Sequence, residues 1–127
     1  MIKGIEHIAL FSSDTKKLSD WYVKMFDLRV VYDNGKGTYF LAFPSGDMLE
    51  FVSTDKPASV QDDKLGGIRH LALAIDEDKF DPMVEKLKAE GVEIVSDVAE
   101  KNGIKTFFFR DIEGNVSHLI YRPNALC

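Results

Sequence analysis

The chain has 127 residues, with 16 Lys and Arg against 21 Asp and Glu and a formal net charge of −5. This is the length and make-up of one compact domain that buries a core without disulfides. Scattered cations on a net-negative surface argue against a nucleic-acid partner. The sole cysteine, Cys127, is the last residue, so it has no internal partner and no fixed surroundings to activate it. The opening MIKGIEHIALF enters a strand pattern at once, without the architecture of a signal peptide. No apolar run approaches the ~20 residues of a membrane helix. The expected compartment is the cytoplasm, with no membrane contact.

In chain order, Ile5 to Phe11 reads as a strand. Asp14 then caps a helix in which Leu18, Trp21, Tyr22, Met25 and Phe26 form one apolar stripe. Three strand-like runs follow, near Leu28–Tyr32, Thr38–Phe43 and Met48–Val52, with Asn34-Gly35 and Ser45-Gly46-Asp47 as turns. The polar stretch 55–66 reads as a linker. The same order then recurs. Ile68–Ile75 is a strand, and Phe80, Met83, Val84 and Leu87 stripe a helix ended by Gly91, with Pro82 expected in its first turn. Runs near Val92–Val95, Lys105–Phe109 and Val116–Tyr121 are strands.

The recurrence extends to the residues. Gly4-Ile5-Glu6-His7-Ile8-Ala9-Leu10 matches Gly67-Ile68-Arg69-His70-Leu71-Ala72-Leu73 at five of seven positions, at an offset of 63 residues. Gly46-Asp47-Met48-Leu49-Glu50-Phe51 parallels Gly114-Asn115-Val116-Ser117-His118-Leu119 at an offset of 68. Sequence, element order and register agree, so the match is an internal duplication and not two chance βα units. The expected fold is α+β: tandem β-α-β-β-β modules, about 1–54 and 67–122. Together they form a curved, cup-like mixed sheet with helices on its outer face.

Strand alternation gives the polar residues a direction. Ile8 and Leu10 share one face of the first strand, and His7 lies on the other with Ala9. Leu71 and Leu73 repeat the first face, and His70 the second, with Ala72. In the last strand of each module, Glu50 opposes Leu49 and Phe51, and His118 opposes Leu119 and Tyr121. The helices cover the aliphatic face, so the four polar residues point away from them. A carboxylate or imidazole among apolar residues on a strand face is costly unless paired or metal-bound. A lone histidine is more often a satisfied core residue than a ligand. Here all three histidines of the chain fall on one predicted face at repeat-related positions. Neutral imidazole and carboxylate suit zinc and other first-row divalent ions. His7, Glu50, His70 and His118 are therefore the expected metal ligands.

These motifs, with Trp21-Tyr22 to Phe26-Asp27-Leu28 and the turn Asp111-Ile112-Glu113-Gly114-Asn115, resemble the vicinal-oxygen-chelate superfamily over nearly the whole chain. That superfamily includes glyoxalase I, extradiol dioxygenases, and fosfomycin- and bleomycin-resistance proteins. The turn is similar to its D-P-x-G-N motif, with Ile112 in place of Pro. The resemblance implies one divalent metal per site, zinc, nickel, manganese or iron, that chelates two adjacent substrate oxygens. His7, Glu50 and His70 stand at the ligand positions of glyoxalase-I-like members, and His118 stands where a Glu is usual. Glu50 is then the only carboxylate among the ligands and the expected catalytic base.

In bacterial glyoxalase I, glutathione-binding Arg and Asn follow the first two ligands by four residues; here those positions hold Phe11 and Thr54. Arg69 has the wrong strand parity to replace them. The resemblance thus implies a lyase or isomerase that moves a proton on some other small molecule, in a homodimer. The alternatives are an extradiol-type dioxygenase, which uses two His and one carboxylate, and a metal-free, bleomycin-resistance-like binding protein, which lacks the ligand set.

Overall fold

The computed structural model describes residues 1–56 and 66–127. The predicted linker therefore lies mostly outside the described residues. The chain divides into two compact units, Met1–Ser59 and Val60–Cys127, each a β-α-β-β-β module. No described helix is long and apolar enough to cross a membrane.

The first unit runs β1 (His7–Ser12), α1 (Thr15–Phe26), β2 (Arg29–Asp33), β3 (Tyr39–Ala42) and β4 (Met48–Ser53). Its sheet has the order β1-β4-β3-β2, with β1 parallel to β4 and the other pairs antiparallel. Asp14 starts α1 as expected, its Oδ1 accepting from the Lys17 N–H at 3.0 Å, which satisfies one of the orphan donors of the first turn. Asp27, in the left-handed region at φ 54°, stops the helix. The stripe Leu18, Trp21, Tyr22 and Met25 is buried, as are Leu41, Leu49 and Phe51 of the sheet. Tyr22 meets Phe51 with ring centroids 5.3 Å apart. Each large side chain buried in this way contributes about 1.5–3 kcal/mol, so the helix is pinned to the Leu49/Phe51 face of β4 and leaves the opposite face uncovered by α1.

The second unit repeats the plan: β5 (Leu71–Ala74), α2 (Glu77–Ala89), β6 (Glu93–Lys101), β7 (Ile104–Arg110) and β8 (Val116–Tyr121). The sheet order is β5-β8-β7-β6, again with one parallel pair, β5 to β8. Phe80, Val84 and Leu87 of α2 are buried, as are Phe107, Phe109 and Leu119. The turns into the last strands match as well. Phe43 N–H donates to Asp47 O at 2.9 Å and Gly46 N–H to Phe43 O at 2.9 Å; Asp111 N–H donates to Asn115 O at 2.9 Å and Gly114 N–H to Asp111 O at 3.0 Å. Gly46 and Gly114 both sit at φ 95°, a conformation that favours glycine.

Three local expectations are corrected. Pro82 is the sixth residue of α2, not in its first turn, because the helix already begins at Glu77. Glu77 and Asp78 in that first turn complement the positive end of the helix dipole. The strand predicted at Val92–Val95 extends to Lys101, since Asn102 and Gly103 (φ 55° and 79°) form a tight hairpin turn into β7. The strand predicted from Ile68 begins only at Leu71, after Gly66-Gly67, so Ile68, Arg69 and His70 precede the regular pleat.

Candidate metal centre

The register of each sheet brings the predicted ligands together in pairs. In the first unit, Ala9 lies opposite Glu50, and His7 opposite Met48. His7 and Glu50 therefore share the face opposite Leu49 and Phe51. His7 Nε2 lies 3.5 Å from Glu50 Oε1. The other ring nitrogen, Nδ1, lies 3.0 Å from Glu6 Oε1. In a neutral ring whose Nδ1–H donates to Glu6, Nε2 carries only a lone pair. That lone pair and the Glu50 carboxylate then converge on one spot. Two acceptors at this separation repel unless a proton or a metal cation lies between them. The Glu6–His7–Glu50 chain has the form of a carboxylate-oriented histidine ligand. Glu6 is absent from the sequence-based site, because the equivalent position before His70 holds Arg69 and the repeat gives no signal for it.

In the second unit, Ala72 lies opposite His118, which is in turn opposite Phe108. The His70 and His118 rings stand 4.5 Å apart at 71°. His118 is only 6% exposed. The Nδ1 atoms of both rings are buried without a hydrogen-bond partner, a costly arrangement for polar nitrogens unless something else satisfies them. Both imidazoles are held toward the neutral form. Burial lowers the pKa of His70, with Arg69 adding to the effect. Burial takes His118 down to about 4, assisted by His70 and then Arg69. Neutral imidazole is the form that ligates metal.

Two aromatics at equivalent positions frame the pairs, and the sequence reading did not find them. Phe40 is opposite Glu50 in β3–β4 and Phe108 is opposite His118 in β7–β8. Phe40 meets His7 edge-on at 5.2 Å. Phe108 stacks on His118 at 4.3 Å and 16° and meets His70 edge-on at 5.4 Å. Beside Phe40, Val31, Tyr32 and Met48 complete an open apolar hollow of about 310 Å³. The strand alternation behind Phe40 was legible, but its opposition to Glu50 depends on cross-strand register. The expectation for Arg69 is also corrected. Its guanidinium carbon lies 5.8 Å from the centre of the Phe108 ring, and it reaches there because Arg69 precedes β5 and so escapes strand parity.

The four predicted ligands thus stand as two pairs, one in each unit. Among the described residues, no group of three or more His, Cys, Asp or Glu is placed to hold a metal ion. The donor types, the convergent acceptors of His7 and Glu50, and the unsatisfied nitrogens of His70 and His118 all fit a divalent metal.

A duplicated β-α-β-β-β module with histidine and carboxylate side chains on or beside its first and last strands defines a class. The chain belongs to the Glyoxalase/Bleomycin resistance protein/Dioxygenase superfamily, whose profile matches residues 4–119. The fosfomycin resistance protein FosX of Listeria innocua is 24% identical over 122 residues, covering 94% of this chain and 90% of that protein. Among solved structures, a mutant of FosX from Listeria monocytogenes in complex with Mn(II) and 1S,2S-dihydroxypropylphosphonic acid superposes with a TM-score of 0.77. Its identity is 22%, and the match covers 99% of this chain and 94% of that one. The oxidase ChaP-H2 superposes with a TM-score of 0.78 at 19% identity over 98% of both chains. At these identities the structural likeness establishes the fold.

Proposed function

We propose that the protein is a metal-dependent enzyme that binds a small molecule through two adjacent oxygens and transfers a proton on it, in the manner of glyoxalase I. His7, Glu50, His70 and His118 would hold one divalent ion. When bound, that ion supplies Lewis acidity, stabilising negative charge as it develops on the substrate oxygens. The observation that carries the reading is the occurrence of polar pairs at equivalent places in both units: His7 Nε2 lies 3.5 Å from Glu50 Oε1, and the Nδ1 atoms of His70 and His118 are buried without a hydrogen-bond partner. The Mn(II)-bound FosX relative, holding a dihydroxyphosphonate, supports both a divalent ion and an oxygen-rich ligand.

The chain's own residues divide the remaining work. Glu6 orients His7 through Nδ1. Phe108, stacked on His118, fixes that ring's plane and excludes water from one side of it. Glu50 is the sole carboxylate of the four, and its side chain keeps 21% of its surface exposed. It is the group placed to accept a proton from a substrate carbon and return it. With His118 in place of a second carboxylate, the ligand set carries one negative charge, and the site favours an anionic substrate more than a two-carboxylate set would.

Elemental analysis of protein expressed in metal-replete medium tests this reading. About one zinc, nickel, manganese or iron per chain is expected. His118→Ala is expected to weaken metal binding by tenfold or more, a loss at least as large as that caused by altering a residue behind a ligand. His118→Glu is expected to retain metal. Less than about a tenth of an ion per chain, with none taken up on titration, would overturn the proposal and favour a metal-free binding protein. Undiminished affinity in His118→Ala would leave a three-residue site and favour dioxygenase chemistry.

A further inference from the structure

The ring cluster of the second unit has one cationic member. Phe108 touches His118 and His70, and the Arg69 guanidinium lies 5.8 Å from its centre. Arg69 is largely exposed to solvent, and among the described residues no carboxylate forms an ion pair with it. Arg110, by contrast, is committed. Its Nε lies 2.7 Å from Glu93 Oε2, and its Nη1 donates to Gly114 O at 2.8 Å. Among the described residues this guanidinium has no acidic partner, and it lies beside the Phe108 ring that contacts both imidazoles. The equivalent position in the first unit is Glu6, which is occupied with His7. The repeat thus reverses charge at the residue before the first histidine of each unit.

We infer that Arg69 is a specificity-determining residue that receives an anionic group, carboxylate or phosphonate, of the molecule held by the metal. The inference rests on the metal-dependent reading and names the class of its substrate: a small oxygen chelator with an additional negative charge. The physical basis is geometric. Guanidinium presents a planar fork of donors that matches a carboxylate or phosphonate in two parallel hydrogen bonds. The Phe108 face limits its excursions and reduces its hydration. A charge in this position discriminates between ligands that differ only in carrying an anion.

The test uses two hydroxamates on zinc-loaded protein, monitored by calorimetric titration. Acetohydroxamate offers two adjacent oxygens alone, whereas succinate monohydroxamate adds a carboxylate on a flexible arm. The parent is expected to bind the second about tenfold more tightly, the range of one charge-assisted contact. Arg69→Ala is expected to abolish the preference while leaving zinc content and acetohydroxamate affinity unchanged, and Arg69→Lys to restore part of it. Absence of a preference in the parent, or its survival in Arg69→Ala, overturns the inference alone. Failure of the parent to take up zinc, nickel, manganese or iron overturns the metal reading and this inference with it, whereas a metal-loaded parent that binds neither hydroxamate overturns the inference alone.

Discussion

At the scale of single residues, His118 couples protonation to stability. Its folded pKa of about 4 lies below the ordinary 6.5, mainly because the ring is buried. Between these values the unfolded chain takes up a proton that the folded, metal-free protein refuses. Stability is therefore unaffected above pH 6.5, falls as the pH drops through the window, and levels off below 4. Between pH 7 and 5 the metal-free protein should lose on the order of 1–2 kcal/mol from this group. Urea unfolding at both pH values, beside His118→Gln, checks it; the variant should show a shallower loss, and equal slopes would contradict the assignment. Phe11 and Thr54 bear on the substrate. Phe11 is 69% exposed on β1, and the Thr54 hydroxyl accepts from the Lys56 N–H at 3.1 Å. Neither offers the charge that a glutathione carboxylate needs. Turnover of the methylglyoxal–glutathione adduct is expected well below about 10⁴ M⁻¹s⁻¹ in kcat/KM, the lower end of the usual enzyme range.

Among the elements, the two helices differ in how they begin. Asp14 accepts a backbone hydrogen bond at the start of α1, whereas Asp76 makes no side-chain cap at the start of α2. Asp14→Ala should cost about 1 kcal/mol and lower the Tm by about 4 °C. Asp76→Ala should cost less. Thermal unfolding of the two variants decides the order, and a larger loss at Asp76 would mean that the capping geometry is not what holds α1 in place. The strands differ too. β2 and β6 close their sheets as edges and are exposed along their whole length, including Val30, Val31 and Tyr32 in one and Ile94, Val95 and Val98 in the other. Each has a register shift against its neighbour, a device that twists an edge away from further pairing.

For the whole molecule, apolar exposure predicts association. Ile5 and Phe11 flank or lie on β1, and Ile68 precedes β5; each is more than two-thirds exposed. Single exposed apolar residues are unremarkable, but Ile5 and Ile68 occupy equivalent places just before the first histidine of each unit, and Phe11 adds to the exposed apolar surface of the first. Two-fold assembly is the commonest way to cover such surface. A homodimer is expected by light scattering at micromolar concentration, and a monomer under those conditions would refute it.

The sequence by itself determined the duplicated module, the helical stripes and the strand faces on which His7, Glu50 and His118 lie. These depend on local periodicity: 3.6 residues for the stripe of Leu18 to Met25, and two residues for the opposition of His118 to Leu119. The choice of His7, Glu50, His70 and His118 as the proposed ligands rests on the same alternation together with the near-identity of the two opening strands. Tertiary structure decided what surrounds them. Phe40 and Phe108 face Glu50 and His118 only because of cross-strand register, and a one-residue slip would turn either away. The same holds for the burial of His118, which depends on which ring stacks on it. Arg69 reaches the site because the regular strand begins two residues after it, a boundary that a Gly-Gly turn shifts without altering the hydrophobic pattern. Periodicity fixes which way a side chain points along its own strand, but the neighbour it meets is chosen by strands distant in the chain.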